Sequence, residues 1–300
     1  ILEDLKLAGL PVDTNASVLT VADVRDFPTS LFLAERISSQ IENLFNTANA
    51  EIRNKLYKYI DKARDDAQDF TTRIKEVFPN WQVTAESEIG DPTWELIKRS
   101  DASNPDLLVV GSHGRSAIGR LLLGSVSHKV ITEARSSVRI SKKRNKEKTL
   151  TENRVLLAVD GSANAEVAVR AVAERVWSND TEFRLVAVDD PFNLAEVGYL
   201  NWNHKEDKPF NNKKSKQWIE TVINKPKQIL TSRGLQVSHK ILWGDAANMV
   251  LQEAQEWKAD CIFLGARGIS RMKRFLLGSV SSRVATHAEC SVEIIKIQAG

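Results

Sequence analysis

Cysteine is nearly absent. Cys261 and Cys290 are the only two in 300 residues, too few for a disulfide framework and in keeping with a reducing compartment. An excess of one charge is also missing. Lys and Arg number 42 against 39 Asp and Glu, a formal net charge of +3, which argues against a chain built to coat nucleic acid or an anionic membrane. No apolar run approaches the roughly 18 residues of a membrane span. The longest blocks, such as Leu107–Val110, are strand-sized. The five histidines (His113, His128, His204, His239, His287) show no metal-ligand spacing. Two phosphate-binding signatures are absent as well, the Gly-Lys-Ser/Thr of a P-loop and the dinucleotide G-x-G-x-x-G. The first residues, ILEDLKLAGLP, carry charges and no apolar core, unlike a secretory signal. A cytoplasmic location is the expectation. With no initiator Met at Ile1, the natural start is expected upstream.

What the chain does have is a repeat. LLGSVS occurs at Leu122–Ser127 and again at Leu276–Ser281, with Gly111 and Gly114 before the first copy and Gly265 and Gly268 before the second. Each landmark recurs 154 positions later, without a gap, and the same offset aligns Asp106 with Asp260 and Ser137-Val138 with Ser291-Val292. A period this long means two homologous domains fused in tandem rather than a solenoid. We expect domains over residues 1–141 and 153–300, joined by the basic stretch Ser141–Asn153, a solvated linker.

Both halves alternate strands and helices. In the second, the apolar run Arg154–Val159 ends at Asp160-Gly161-Ser162, a strand followed by a turn and a capped helix. Strands are expected at Phe183–Val188, Gln236–Leu242, Asp260–Leu264 and Ser291–Ile297. Helices are expected at Ser215–Ser232, despite Pro226, and at Ala246–Trp257 and Ser279–Ala288. This order predicts a doubly wound, five-stranded parallel α/β sheet in each domain. The first half begins late, with Gly9 stopping its first helix and Ala16–Val21 as its second strand. The first strand of such a sheet sits in the middle, and its loss would leave interior edges unpaired. An upstream segment is therefore expected.

The chemistry lies in the glycines. G-x-x-G, nine residues, then G-S appears at Gly111, Gly114, Gly124-Ser125 and at Gly265, Gly268, Gly278-Ser279. The first pair follows an apolar strand and the closing Gly-Ser precedes a helix. Glycines there let the backbone approach a ligand closely. A serine capping the helix start leaves a hydroxyl and free N–H groups facing outward, a ready anion site. For His113 and Arg267, inside the two loops, contact with a phosphate and plain solvation are both open. Asp189 and Asp190 follow the second strand, where a strand-end turn is the first expectation and a Mg2+ site the alternative.

These motifs, with VDGS at Val159–Ser162 and the strand endings VLTV (Val18–Val21) and LVAV (Leu185–Val188), resemble the universal stress protein family in a tandem form. The resemblance spans nearly the whole chain. It implies Rossmann-like domains whose last strands pair across an intramolecular pseudo-dimer, with further homodimerisation left open. In that family the glycine motif marks members that bind ATP. Carried over, Asp160 would sit by the ribose and phosphates, with Gly161 and Ser162 beside it. Val188 and Leu264 would line the adenine slot, and Gly265, Gly268, Gly278, Ser279 and Val280 would hold the phosphates, with Ser281 next to them. The first-half matches are Val21, Val110, Gly111, Gly114, Gly124, Ser125, Val126 and Ser127. The expected ligand is ATP, with or without Mg2+, and nucleic acid and membrane are not expected partners. The expected role is a nucleotide-binding stress-response regulator. A slow ATPase or phosphoryl-transfer enzyme using Asp160, and a scaffold with empty loops, are the alternatives.

Overall fold

A computed structural model describes residues 1–23, 50–112, 123–143, 153–190, 213–268 and 277–297. His113, Gly114 and the basic residues Arg271, Lys273 and Arg274 lie outside these, as do most of the linker and the 191–212 insert. The chain forms two compact units, Pro11–Ser103 and a second made of Ile1–Leu10 with Asn104–Gly300.

In the larger unit, apolar runs too short for helices become strands, buried on both faces at the centre of the sheet and partly exposed at its edges. They are β3 (Leu107–Gly111), β4 (Ser137–Ser141), β5 (Asn153–Ala158), β6 (Thr181–Asp189), β7 (Val237–Trp243), β8 (Cys261–Gly265) and β9 (Ser291–Ile295). They form one seven-stranded sheet in the order β3-β4-β9-β8-β5-β6-β7. Every pairing is parallel except β4 with β9, which run antiparallel with Arg139 opposite Glu293. The last strands of the two halves thus pair, as the resemblance implied.

Helices α5 (Ala163–Ala173) and α6 (Lys213–Thr231) cover one face of the second-half strands. There Val155, Leu157, Phe183, Leu185 and Phe263 meet Val169, Val172, Val222 and Leu230. Helix α6 runs through Pro226 without a break. Helices α7 (Ala246–Glu256) and α8 (Ser279–His287) follow β7 and β8, and α4 (Ser125–Glu133) is the first-half counterpart of α8. At the N-terminus, α1 (Leu2–Leu5) is followed by Gly9, whose carbonyl accepts from Val176 N–H at 2.9 Å.

The smaller unit pairs β1 (Asn15–Asp23) with β2 (Gln82–Gly90) in parallel. Helix α2 (Ala50–Val77) buries Ala63, Ala67, Thr71 and Ile74, one stripe at helical spacing, and α3 (Pro92–Ser103) follows β2. Trp81 stacks on Phe78 at 4.2 Å and donates to the Pro11 carbonyl at 3.0 Å.

Candidate functional site

In the sheet order β8 and β5 are neighbours, yet each is connected onward in the opposite direction: β5 leads to β6, β8 to β9. Such a reversal opens a crevice at the carboxyl ends of the strands. A cavity of about 120 Å3 lies there. It brings together Asp160, Ser162, Val188, Leu264, Gly265, Arg267, Gly268, Gly278, Ser279, Val280 and Ser281, all of the second-half residues expected from sequence except Gly161. A larger hollow, about 860 Å3, lies by the amino ends of β5, β8 and β9 near Arg154, Cys261 and Ser291, and gathers none of them.

The turn after β5 is fixed by its own side chains. Asp160 Oδ1 accepts from Ser162 N–H at 2.9 Å, and Ser162 Oγ accepts from Ala165 N–H at 3.2 Å as the N-cap of α5. The same hydroxyl donates to the Arg267 carbonyl at 3.4 Å, tying the turn to the glycine loop. Gly161 sits at φ +79°, a conformation that side chains resist. Its part is to make the turn, and it does not line the cavity.

The three motif glycines serve different ends. A Cβ on Gly265 would come within 2.6 Å of Asn164, so this glycine lets α5 pack against the end of β8. A Cβ on Gly268 would lie 2.5 Å from Asp160 Oδ2, so this one leaves room for the carboxylate. Gly278 is unlike both. Its φ of −78° suits any residue, and among the described residues a Cβ there would meet nothing closer than 3.4 Å. Neither the backbone nor the described packing requires it, and its missing side chain clears space at the mouth of α8.

One expectation needs correcting. Ser125 and Ser279 do not cap their helices. Gly124 and Gly278 occupy the N-cap positions, with no side-chain cap bond, so each serine is already the first helical residue. From there its hydroxyl cannot fold back on the end of the helix. Among the described residues the capping role passes to no side chain, and the first N–H groups of α8 have no acceptor within the helix. Ser281 Oγ instead donates to the Gly265 carbonyl at 2.8 Å, and Gly278 N–H donates to the Ala266 carbonyl at 2.7 Å. These bonds hold the loop over the helix end.

Sequence reasoning missed the apolar walls. Ala158, Val159, Ala165, Val186, Ala246 and Val250 complete the apolar lining. Ala246 and Val250 are four apart on α7, a face that follows directly from the Gly244-Asp245 helix start. Asp190 also lines the cavity and accepts from Ala246 N–H at 3.1 Å; Asp189 is buried and does not line it. Burial, and then the neighbouring Asp190 charge, push the Asp189 carboxyl up.

The profile of the family described as "Universal stress protein family" matches residues 10–142 and 152–296. The chain belongs to that family, as a tandem member. A Staphylococcus aureus (strain USA300) protein named for the family is 28% identical over 151 residues, covering 50% of this chain and 87% of that one. The crystal structure of a universal stress protein from Archaeoglobus fulgidus, 22% identical, superposes with a TM-score of 0.60 and covers 99% of this chain and 92% of that one. It shares the fold. An Arabidopsis thaliana member solved with AMP bound is 20% identical, covering 49% of this chain and 93% of its own, at a TM-score of 0.34, too distant to bear on this site.

The first universal stress repeat reproduces the loop bonds of the second. Ser127 Oγ donates to the Gly111 carbonyl at 2.6 Å, and Gly124 N–H donates to Ser112 O at 2.9 Å. Val110, Gly111, Gly124, Ser125, Val126 and Ser127 belong to the larger unit, and Val21, on β1, belongs to the smaller. His113 and Gly114 lie outside the described residues. The structure therefore brings one full set together, that of the second half.

Proposed function

We propose that this universal stress protein binds an adenine nucleotide, ATP in the first instance, in the crevice of its second half, and that the bound state regulates a stress response. The observation that carries the reading is Gly278. Among the described residues nothing requires a glycine there, and it opens the space in front of a helix start whose N-cap makes no side-chain bond. A helix terminus contributes roughly 0.3–1 kcal/mol to anion binding, and up to about 2 in favourable geometry. Micromolar affinity needs about 8 kcal/mol. Charge-assisted bonds at about 1.5–3 kcal/mol each, from the N–H groups of Ser279, Val280 and Ser281, supply part of the difference. Burial of a base against Val188, Leu264, Val186 and Val250 supplies more. The 120 Å3 recess is below the ~300 Å3 of a pocket that encloses a drug-sized ligand. The base would seat there and the phosphates lie over the glycine loop, with Arg267 at their edge. Asp160 is the carboxylate placed to face a ribose hydroxyl or to share Mg2+ with phosphate oxygens.

The described lining holds Asp160, Asp190 and Arg267 as its charged groups and no histidine or lysine. Binding with slow or no turnover follows. The domain division at residues 141–153, a second site in the first half and a cytoplasmic location belong to the same proposal. Isothermal titration calorimetry with ATP tests it. Gly278→Val should weaken binding by at least about tenfold, half of one lost charged hydrogen bond in energy, while thermal stability stays near that of the parent chain. Equal affinity in the two chains would refute the cradle.

A further inference from the structure

Strands β4 and β9 read Ser-Val-Arg-Ile-Ser-Lys (Ser137–Lys142) and Ser-Val-Glu-Ile-Ile-Lys (Ser291–Lys296). Their antiparallel register places Val138 opposite Ile294, Arg139 opposite Glu293 and Ile140 opposite Val292. Arg139 therefore faces its own repeat equivalent, and a local two-fold axis passes between Arg139 and Glu293. Around that axis the contacts are exchanged like for like. Lys142 N–H donates to Ser291 Oγ at 3.0 Å and Lys296 N–H to Ser137 Oγ at 3.2 Å. The Lys142 ammonium donates to the Ala285 and Ala288 carbonyls at the end of α8; the Lys296 ammonium donates to those of Ile131 and Ala134 at the end of α4. All of these would survive if a first half met another first half, or a second half another second half.

The axial pair would not survive. Arg139 Nη1 donates to Glu293 Oε2 at 2.9 Å, with the two side chains 1% and 0% exposed. Asp4 accepts from Arg139 at 2.6 and 2.7 Å on one side, and Arg175 donates to Glu293 on the other. Like-with-like pairing would set Arg139 against a second Arg139, or Glu293 against a second Glu293, directly opposite and without water. Like charges placed so are destabilising. A buried ion pair is a weak source of stability compared with apolar residues of similar volume. The flanking pairs, Val138 with Ile294 and Ile140 with Val292, are apolar, so stability alone would be served by a third apolar pair.

We infer that the Arg139–Glu293 pair selects the partner of each β4/β9 edge, admitting the unlike half and rejecting the same half of a second copy. Specificity here comes from the penalty on the wrong pairing as much as from the gain in the right one.

Charge reversal in the full chain tests this. Arg139→Glu gives a chain with Glu on both edges, and Glu293→Arg gives one with Arg on both. Each is refolded alone, the two are refolded together, and the double variant R139E/E293R, carrying Asp4→Lys and Arg175→Glu so that each flanking charge stays opposite, is refolded alone. Mass by light scattering and thermal midpoint are compared with the parent chain. Each single variant alone should lose correctly paired chain by on the order of tenfold or more. The mixture should give a 1:1 complex of twice the chain mass, because Glu meets Arg at both contacts, once as the parental pair. The double variant should match the parent mass. The inference is overturned if either single variant alone keeps parental mass and midpoint. It is equally overturned if the mixture yields no 1:1 complex while the double variant folds. Failure of the double variant together with both singles would reduce the pair to a stability role and also overturn it.

Discussion

Lys142 and Lys296 show how one residue in two matched places acquires two chemistries. Each follows the last strand of its half and hydrogen-bonds the end of the other half's last helix. Burial lowers both ammonium groups, but Lys142 also lies beside Glu289, whose charge pulls it back up. The corresponding neighbours of Lys296 are Arg135 and Ser136, which offer no anion, and burial alone takes it down to about 8. The ordinary value is about 10.4, so between about pH 8 and that value the unfolded chain holds the proton that the folded chain has released. Stability contributed at this site therefore rises with pH through that window, and the full cost of the buried charge is present below it. Lys296→Met should remove that rise: the parent-minus-variant difference in thermal midpoint should climb from pH 8 to 10. A flat difference, or an NMR titration of the Lys296 side chain near its ordinary value, would count against the assignment.

At the level of elements, Asp245 joins two helices that flank the crevice. It is the N-cap of α7, accepting from Asn248 N–H at 2.9 Å, and it accepts from Arg283 of α8 at 2.8 Å. The Asn248 N–H bond, more than Arg283, holds its carboxyl below the usual range. Its contribution is present above the ordinary carboxylate pKa and lost as pH falls through the lowered one. Asp245→Ala should cost about 1 kcal/mol in urea unfolding, the usual worth of such a cap, and Asp245→Asn much less at pH 7; equal losses would show that the charge, not the cap, matters. The helix from Ala246 was legible, though its cap was not, and the strands were legible in short apolar runs bounded by Gly, Asp and Ser. Element ends were less so. β2 runs on from Ala85 to Gly90 through Glu86 and Glu88, because Glu86 finds Arg99 at 2.6 Å and Ser17 at 2.7 Å, partners distant in sequence. Ser125 and Ser279 were misread because a one-residue shift separates a capping serine from a first helical one. The apolar wall of the cavity was invisible for a related reason: Ala246 and Val250 look like ordinary core until tertiary packing sets α7 beside the crevice.

At the scale of the whole molecule, the repeat predicts two equivalent halves, whereas the compact units divide the chain differently. β3 and β4 of the first half join the five strands of the second in one sheet, and β1 and β2 form a sheet of two. In the second half β5 bridges β8 and β6; no described first-half strand takes that place. The consequence is unequal cover. β8 and β9 are buried at every position, while Ala22 is the buried residue of β1 and Val83 and Gly90 those of β2. A two-stranded sheet has little stability of its own and depends on the helices packed on it. Protection against hydrogen exchange tracks such local cover, from near zero at frayed edges to the global value in a core. Hydrogen–deuterium exchange read by mass spectrometry should therefore find the amides of Asn15–Asp23 and Gln82–Gly90 opening first, roughly a hundredfold faster than those of β5, β8 and β9, the difference of a few kcal/mol that separates a local opening from a global one. Unfolding would then proceed in more than one step, and a single denaturation midpoint would not describe the chain. Uniform protection across both sheets would mean instead that the two units unfold as one, and that the sparse burial of β1 and β2 sets no weak point.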